Sequence, residues 1–242
     1  MDAQVFTEHF DLEDTHWWFR SKRTLVLSLL RRYGVLGGPG LDVGCGAGGT
    51  LAALAQHGAW VGVDADPAAL RLSRKRGLVR LAGGGVEALP FRAGTFAACL
   101  CLDLLYHRNV ISEGGALREC HRILRPGGLL LVTDSAFKWL RSAHDAAVHG
   151  ARRYTRREMV EHVRAAGFTP VLASYAYCLV FPAVAAVRLA RRGADGGSDV
   201  YPVPRPLNAA LLGVQAVERA LLRVAPLPFG SSVVLAARKA AA

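Results

Sequence analysis

The chain has 242 residues, 52% of them hydrophobic, with a formal net charge of +11; that length and apolar share suit one α/β unit with a sizeable core and exclude disorder except locally. Five cysteines without a C-x-x-C pair exclude a disulfide framework and point to a reducing, cytoplasmic setting, and eight dispersed histidines without H-x-x-x-H or paired-acid spacing give no metal site. The arginines fall in scattered pairs such as Arg31-Arg32 and Arg156-Arg157, a balance that fits an anionic substrate, a membrane surface, nucleic acid or simply an arginine-rich genome.

Residues 1–14 read as a mobile, acidic lead-in whose polar start is no signal peptide. Thr15 can cap a helix to about Tyr33 with Leu25, Leu29 and Leu30 as its stripe, ended by Gly34 and a glycine-proline turn. Strand and helix patterns then alternate: strands at 41–43, 60–64, 79–82, 96–102 and 129–133, helices at 49–57, 67–76 and 112–124. Cys99 and Cys101 alternate within the fourth strand and share one buried face. This rhythm predicts a parallel, doubly wound sheet with its ligand at the carboxyl ends of the strands. Thr155 with Glu158 makes a capping box for a helix at 155–166, and strands follow at 168–178 and 231–238. About fifty residues separate these last strands, far more than a hairpin needs. They comprise an apolar segment at 179–189, a linker at 193–206 and an amphipathic stretch at 207–224. Pro182 divides 171–189, which reads as a strand and a Pro-initiated helix rather than a membrane span.

Leu41-Asp42-Val43-Gly44-Cys45-Gly46-Ala47-Gly48-Gly49-Thr50 ends a strand in a glycine cluster and opens a helix, so bare backbone can approach a ligand. Gly44, Gly46 and Gly49 have G-x-G-x-x-G spacing, and Asp64, twenty residues past Gly44, can accept ribose hydroxyls. Asp42 narrows the nucleoside: its charge repels a pyrophosphate and attracts an ammonium or sulfonium, favouring S-adenosylmethionine over NAD.

Leu41 to Gly48 resembles the first motif of class I S-adenosylmethionine-dependent methyltransferases. Val63-Asp64-Ala65-Asp66-Pro67, Glu87-Ala88-Leu89-Pro90-Phe91 and Leu124-Arg125-Pro126-Gly127-Gly128 agree in order, over about residues 36–135. His16-Trp17-Trp18-Phe19 with Arg23, and Arg153-Tyr154-Thr155, are similar to the flanks of the small-molecule, type 11 methyltransferases. The resemblance implies a Rossmann-like, seven-stranded α/β sheet with the last strand antiparallel, in one domain. An N-terminal lid helix would occupy 1–34, the cofactor core 36–178, a helical insertion 179–229 and the final strand 231–239.

It also implies roles. Gly44, Cys45 and Gly46 line the methionine and ribose portions, Asp64 takes the ribose hydroxyls and Ala65 flanks the adenine. Gly85 stands where the family carries an Asp for the adenine amino group, so Val86 and Glu87 must serve through backbone. Thr95-Phe96-Ala97 departs from the family's Phe-Asp in the turn into strand four. Trp18 covers the cofactor while Arg23 or Arg20 pairs with its carboxylate, and His16 and Tyr154 border the substrate. Asp103-Leu104-Leu105-Tyr106-His107 ends a central strand and faces the cleft, with Asp103 on the cofactor side and Tyr106 a candidate catalytic residue. His107, with an unperturbed pKa near 6.5, is either a general base or a structural contact.

The expected function is methyl transfer to a small, bulky or apolar, or anionic, metabolite, by a monomer or homodimer without nucleic acid. An NAD-linked oxidoreductase shares the glycine turn but leaves Asp42 without a role. A nucleic-acid methyltransferase of the amino-directed kind carries an Asp/Asn-Pro-Pro-aromatic motif, and Asp103-Leu104-Leu105-Tyr106 lacks both prolines. A non-catalytic binder is the remaining class. In 207–224 the apolar residues Leu207, Leu211, Val214, Val217, Leu221 and Val224 recur at helical spacing, with Glu218 outside the stripe. The expected destination of that stripe is the roof of the acceptor pocket, ahead of a dimer interface or a membrane surface.

Overall fold

In the computed structural model, which describes residues 3–190 and 200–241, the strands are β1 (Gly40–Val43), β2 (Trp60–Asp64), β3 (Leu81–Gly83), β4 (Phe96–Leu102), β5 (Leu124–Ser135), β6 (Phe168–Ala176) and β7 (Ser232–Lys239). They form a seven-stranded sheet in the order β3-β2-β1-β4-β5-β7-β6. β1 to β5 pair in parallel, and β7 runs antiparallel to both β5 and β6. The chain leaves β1 first toward β2 and β3, then returns to β4 on the other side. The crevice therefore opens at the carboxyl ends of β1 and β4, where the winding reverses. All four residues of β1 are buried, so this centre is fixed by the core itself.

Helices α1 (Ala3–Leu12), α2 (Trp17–Arg32), α3 (Gly49–Ala55), α4 (Pro67–Lys75), α5 (Glu113–Ile123), α6 (Ala143–Ala147), α7 (Arg156–Ala165), α8 (Phe181–Ala190) and α9 (Arg205–Val224) surround the sheet. One core layer joins Leu117, Ile123 and Met159 to the sheet, and the other joins Leu25, Leu29, Leu51 and Leu54. Cys99 and Cys101 share a fully buried face as expected, and Cys120 of α5 meets them with its sulfur 3.5 Å from that of Cys101.

The ends of several elements differ from expectation for identifiable reasons. β3 starts only at Leu81, because Val79 is 89% exposed. β5 runs back to Leu124 because the Arg125–Gly128 turn interrupts the ladder as an irregularity between Phe96 and Ala98 rather than ending it. The capping box of Thr155 and Glu158 is present, with Glu158 N donating to Thr155 Oγ1 at 3.2 Å and Thr155 N to Glu158 Oε2 at 2.7 Å.

The lead-in is not mobile over its described part: it forms α1, and His16 rather than Thr15 caps α2, its Nδ1 accepting from Trp18 N at 3.3 Å. Arg76 ties this segment down. Its guanidinium donates to Ala47 O, Phe10 O, Glu13 Oε2 and Asp14 Oδ2 at 2.7–2.9 Å and stacks on the Phe10 ring. Glu13 and Asp14 of the lead-in thus pair with the largely buried guanidinium of Arg76, the C-cap of α4.

The insertion also departs from expectation. The first part of the linker at 193–206 lies outside the described residues. α9 packs on α2 with the expected stripe only partly inward: Leu211 and Val214 pack on the core, Gln215, Glu218 and Leu222 are buried, and Leu207, Val217, Leu221 and Val224 are exposed. The cause is hydrogen bonding. Asn208 Oδ1 accepts from Trp17 N at 2.7 Å, an orphan donor at the start of α2, and Asn208 Nδ2 donates to Thr15 O at 3.0 Å. Glu218 accepts from Tyr177 N and from Leu179 N, which ends β6 at Ala176 and starts the turn into α8. Glu218→Ala should therefore lower stability by about 1–3 kcal/mol, since buried N–H groups lose their acceptor. Urea unfolding of the variant checks this, and an unchanged midpoint would show that water replaces the carboxylate.

Candidate active site at the carboxyl edge of the sheet

β1 delivers Asp42 and the glycine turn to the crevice. Gly44 adopts a φ of 71°, and a Cβ there would come within 2.8 Å of Leu104 Cδ1, so the turn requires glycine twice over. Asp64 closes the turn from β2: its Oδ2 accepts from Gly46 N and its Oδ1 from Asp66 N, both at 2.9 Å. A cleft of about 670 Å³ lies over these groups. Asp42, Gly44, Cys45, Gly46, Asp64 and Ala65 line its floor. Val86 and Glu87 line one end, and Trp18, Arg23 and Asp103 the other elements.

The floor is acidic and starved of water. Asp42 is 2% exposed, and burial, reinforced by the charges of Asp64 and Glu13, pushes its carboxyl up to about 7. Burial also raises Asp64 against the pull of its two backbone hydrogen bonds. The Cys45 thiol is driven up by burial and by both aspartates, so it is no thiolate nucleophile.

Asp103 leaves β4 with a left-handed φ of 50° and pairs with Lys22 of α2. Thr133 Oγ1 donates to its Oδ1 at 3.3 Å. Lys22 Nζ lies 3.5 Å from the centre of the Trp18 ring, and Lys22 lines the cleft. Arg23 lines it too, while pairing with Asp14 at 3.3 Å and donating to Glu13 O; Arg20 is exposed and outside it.

Tyr106 and His107 are brought to the cleft by a buried acid. Asp134, at the end of β5 and wholly buried, accepts from Tyr106 N at 3.2 Å and from Ser135 N at 2.9 Å. Burial and the aspartates 103, 134 and 145 raise the Tyr106 phenol well above its ordinary range. His107 is lowered to about 4 by burial, with His149 and Arg108 adding to the effect, and its Nδ1 accepts from Asn109 N at 3.2 Å.

Two expected substrate contacts stand elsewhere. Tyr154 lies outside the cleft lining: its hydroxyl donates to Leu105 O at 3.0 Å and meets Glu113 Oε1 at 3.3 Å, bracing the loop after β4. His16 is buried as the cap of α2 and is likewise absent from the lining. The carboxylate of Glu87 is committed to Ile111 N and Ser112 N, at 3.1 and 2.8 Å, which leaves its backbone for a ligand. Among the described residues, none of 179–229 lines the cleft, and the described part of α9 packs on α2 instead.

The outer walls come from Phe19 of α2 and from segments that periodicity did not single out: His9 of α1, Glu13 of the turn after it, and His144 and Val148 of α6 and its C-cap. Lys22, Asp134 and Arg76 were also missed. The signal for Arg76 was the acidic Glu13-Asp14 pair, which needed a buried cationic partner. Asp134 gave a signal as a charge closing an apolar run.

Residues 41–132 match the family model described as "Methyltransferase domain". The chain is 35% identical over 111 residues to a ubiquinone biosynthesis O-methyltransferase of Pseudomonas paraeruginosa, covering 42% of this chain and 46% of that protein. It is 36% identical over 131 residues to a demethylmenaquinone methyltransferase of Tropheryma whipplei, covering 51% and 49%. The chain thus spans about half the length of these curated relatives. In fold it is similar to an S-adenosylmethionine-dependent methyltransferase, a possible histamine N-methyltransferase, of Thermotoga maritima, with a TM-score of 0.64, 20% identity, and 98% and 95% of the two chains covered. With its glycine turn, its paired aspartates and the antiparallel last strand of the sheet, the chain has the fold of the class I S-adenosylmethionine-dependent methyltransferases, and its residues 41–132 are similar to their methyltransferase domain.

Proposed function

We propose that the protein transfers the methyl group of S-adenosylmethionine to a small, apolar acceptor, an electron-rich hydroxylated ring of phenol or quinol type. The observation that carries the cofactor reading is Asp42: a buried carboxylate facing a cleft beside bare backbone asks for a cation in the ligand. The cofactor's sulfonium and ammonium supply one, whereas a pyrophosphate would be repelled. When bound, the cofactor supplies an electrophilic methyl group, and the chain's task is to align the acceptor with it and exclude water. Asp64 takes the ribose hydroxyls, Lys22 and Arg23 supply the cations for the carboxylate, and the backbone of Val86 and Glu87 serves the adenine where Gly85 offers no side chain.

The acceptor class is supported by the state of the two residues after β4, Tyr106 and His107. The Tyr106 phenol stays protonated. His107 Nδ1 is the acceptor for Asn109 N, so its ring proton sits on Nε2 and makes that nitrogen a donor. With neither of these two poised to take a proton, the site suits an acceptor acidic enough to lose its own, as a phenol or quinol does. The names of the two similar proteins, for ubiquinone biosynthesis and demethylmenaquinone, support a ring acceptor.

Incubation with methyl-labelled cofactor and a series of phenols and hydroquinones tests this. Transfer should occur with an acid limb that moves with the acceptor's pKa. His107→Ala should lower turnover by roughly tenfold, short of the ~10²-fold or more that loss of a general base brings. A fixed limb near about 6.5 that vanishes in His107→Ala would instead make His107 the base. Absence of transfer to any hydroxylated ring would remove the acceptor class while leaving cofactor binding to be judged by titration.

A further inference from the structure

The outer face of α9 is inverted for a water-soluble helix. Leu207, Val217, Leu221 and Val224 are 53%, 55%, 45% and 87% exposed, and Ala210, Gly213 and Ala220 are exposed among them. At 3.6 residues per turn Val217, Leu221 and Val224 share one side of the helix with Ala210, Gly213 and Ala220, away from the buried Gln215, Glu218 and Leu222, while Leu207 is exposed near the helix start. Gln215 and Glu218 are thus turned in beside Leu211, Val214 and Leu222, which pack on the core, while Val217, Leu221 and Val224 face out. Val187 and Leu189 of α8 are also exposed. A continuous apolar face of this kind marks an interaction surface.

Charge selects the occupant. Across the described residues of 179–229 the acid is Glu218, and it is buried against backbone N–H groups. Arg188, Arg205, Arg219 and Arg223 are the basic residues of the same stretch, and Arg205 and Arg223 are exposed. Arg32 of α2 joins them, its Nη1 3.3 Å from Leu222 O. A second copy related by a two-fold axis would set this basic edge against itself, and like charges across an interface are costly. Anionic lipid headgroups satisfy both halves of the surface: acyl chains accept the apolar face and phosphates pair with the arginines.

We propose that α9 docks the protein on an anionic lipid surface, lying in the interface plane with Val217, Leu221 and Val224 toward the acyl chains and Arg205 and Arg223 at the headgroups. Among the described residues no helix is long and apolar enough to cross a membrane, so the contact is peripheral. The proposal goes beyond methyl transfer and is independent of it, because binding can be read without cofactor or acceptor.

Flotation of the full chain with vesicles of phosphatidylcholine, and of phosphatidylcholine mixed with phosphatidylglycerol, is the test. The protein should float with the anionic vesicles, less so as salt is raised, and stay behind with the zwitterionic ones. Val217→Asp with Leu221→Asp should abolish flotation. Arg205→Glu with Arg223→Glu should weaken it by roughly tenfold or more. These side chains are exposed, and an unchanged urea midpoint certifies that the variants are folded. No flotation of the parent protein, or equal flotation with both vesicle types, overturns the proposal. So does a concentration-dependent dimer that Val217→Asp dissolves in sedimentation, which would give the face to a second copy.

Discussion

Arg153→Leu should destabilise the protein by about 3–5 kcal/mol, as breaking a buried ion pair from one side does. Arg153 is 2% exposed. Its Nε and Nη2 donate to the two carboxylate oxygens of Asp145 at 2.7 and 2.9 Å, and its Nη1 to Ala136 O at 2.8 Å. Without the guanidinium, Asp145 remains as an uncompensated charge in α6. Burial alone would raise the Asp145 carboxyl, but the hydrogen bonds and charge of Arg153 hold it below its ordinary range. A depressed carboxyl contributes stability that is present at neutral pH and lost on acidification through the folded-state value. The parent should therefore lose stability below about pH 4, and the variant should lack that part of the acid dependence. Urea unfolding of Arg153→Leu, Asp145→Leu and the double variant decides the matter. The double variant should cost less than either single, since no lone charge is left. Additive costs would mean that the pair does not act as a unit. Because α6 carries His144 and Val148 into the cleft, acceptor affinity should suffer before cofactor affinity does.

For Asp42→Asn, stability and cofactor affinity should move in opposite directions. The unfolded chain ionises this residue in the ordinary carboxylate range, whereas the folded protein holds its proton up to about 7. Between those values the native state binds more protons, so apo stability falls as pH rises. Removing the carboxylate should thus stabilise the apo protein at pH 8 by a few kcal/mol, on the order of 2–4. The same change removes the charge that meets the cofactor's cation, weakening binding by about 1–3 kcal/mol. In the parent, a bound cation lowers the Asp42 pKa. Affinity should therefore be level above the free-state value near 7 and fall by about tenfold per pH unit below it. Calorimetric titration at a series of pH values reads this directly. A pH-independent affinity in the parent would mean that the cofactor's cations lie away from Asp42.

The sequence by itself determined the order of strands and helices, because burial on both faces of a parallel sheet writes continuous apolar runs and each turn carries its own glycine, proline or cap. It also determined the floor of the cleft. Asp42, Gly44 to Gly46, Asp64 and Ala65 are close in sequence or one βαβ unit apart, so local geometry brings them together. The tertiary structure alone decided the walls and the surfaces. Lys22 meets Asp103 across 81 residues, Arg76 meets Glu13 across 63, and Arg153 locks a short helix that periodicity does not mark. α9 is the plainest case. Its apolar stripe was legible, but a hydrophobic pattern says only that a face is uniform, not which way it points. Asn208 and Glu218 rotated the helix so that Leu211 and Val214 of the stripe kept the core while Val217, Leu221 and Val224 lost it, because backbone N–H groups at the start of α2 and after β6 needed acceptors.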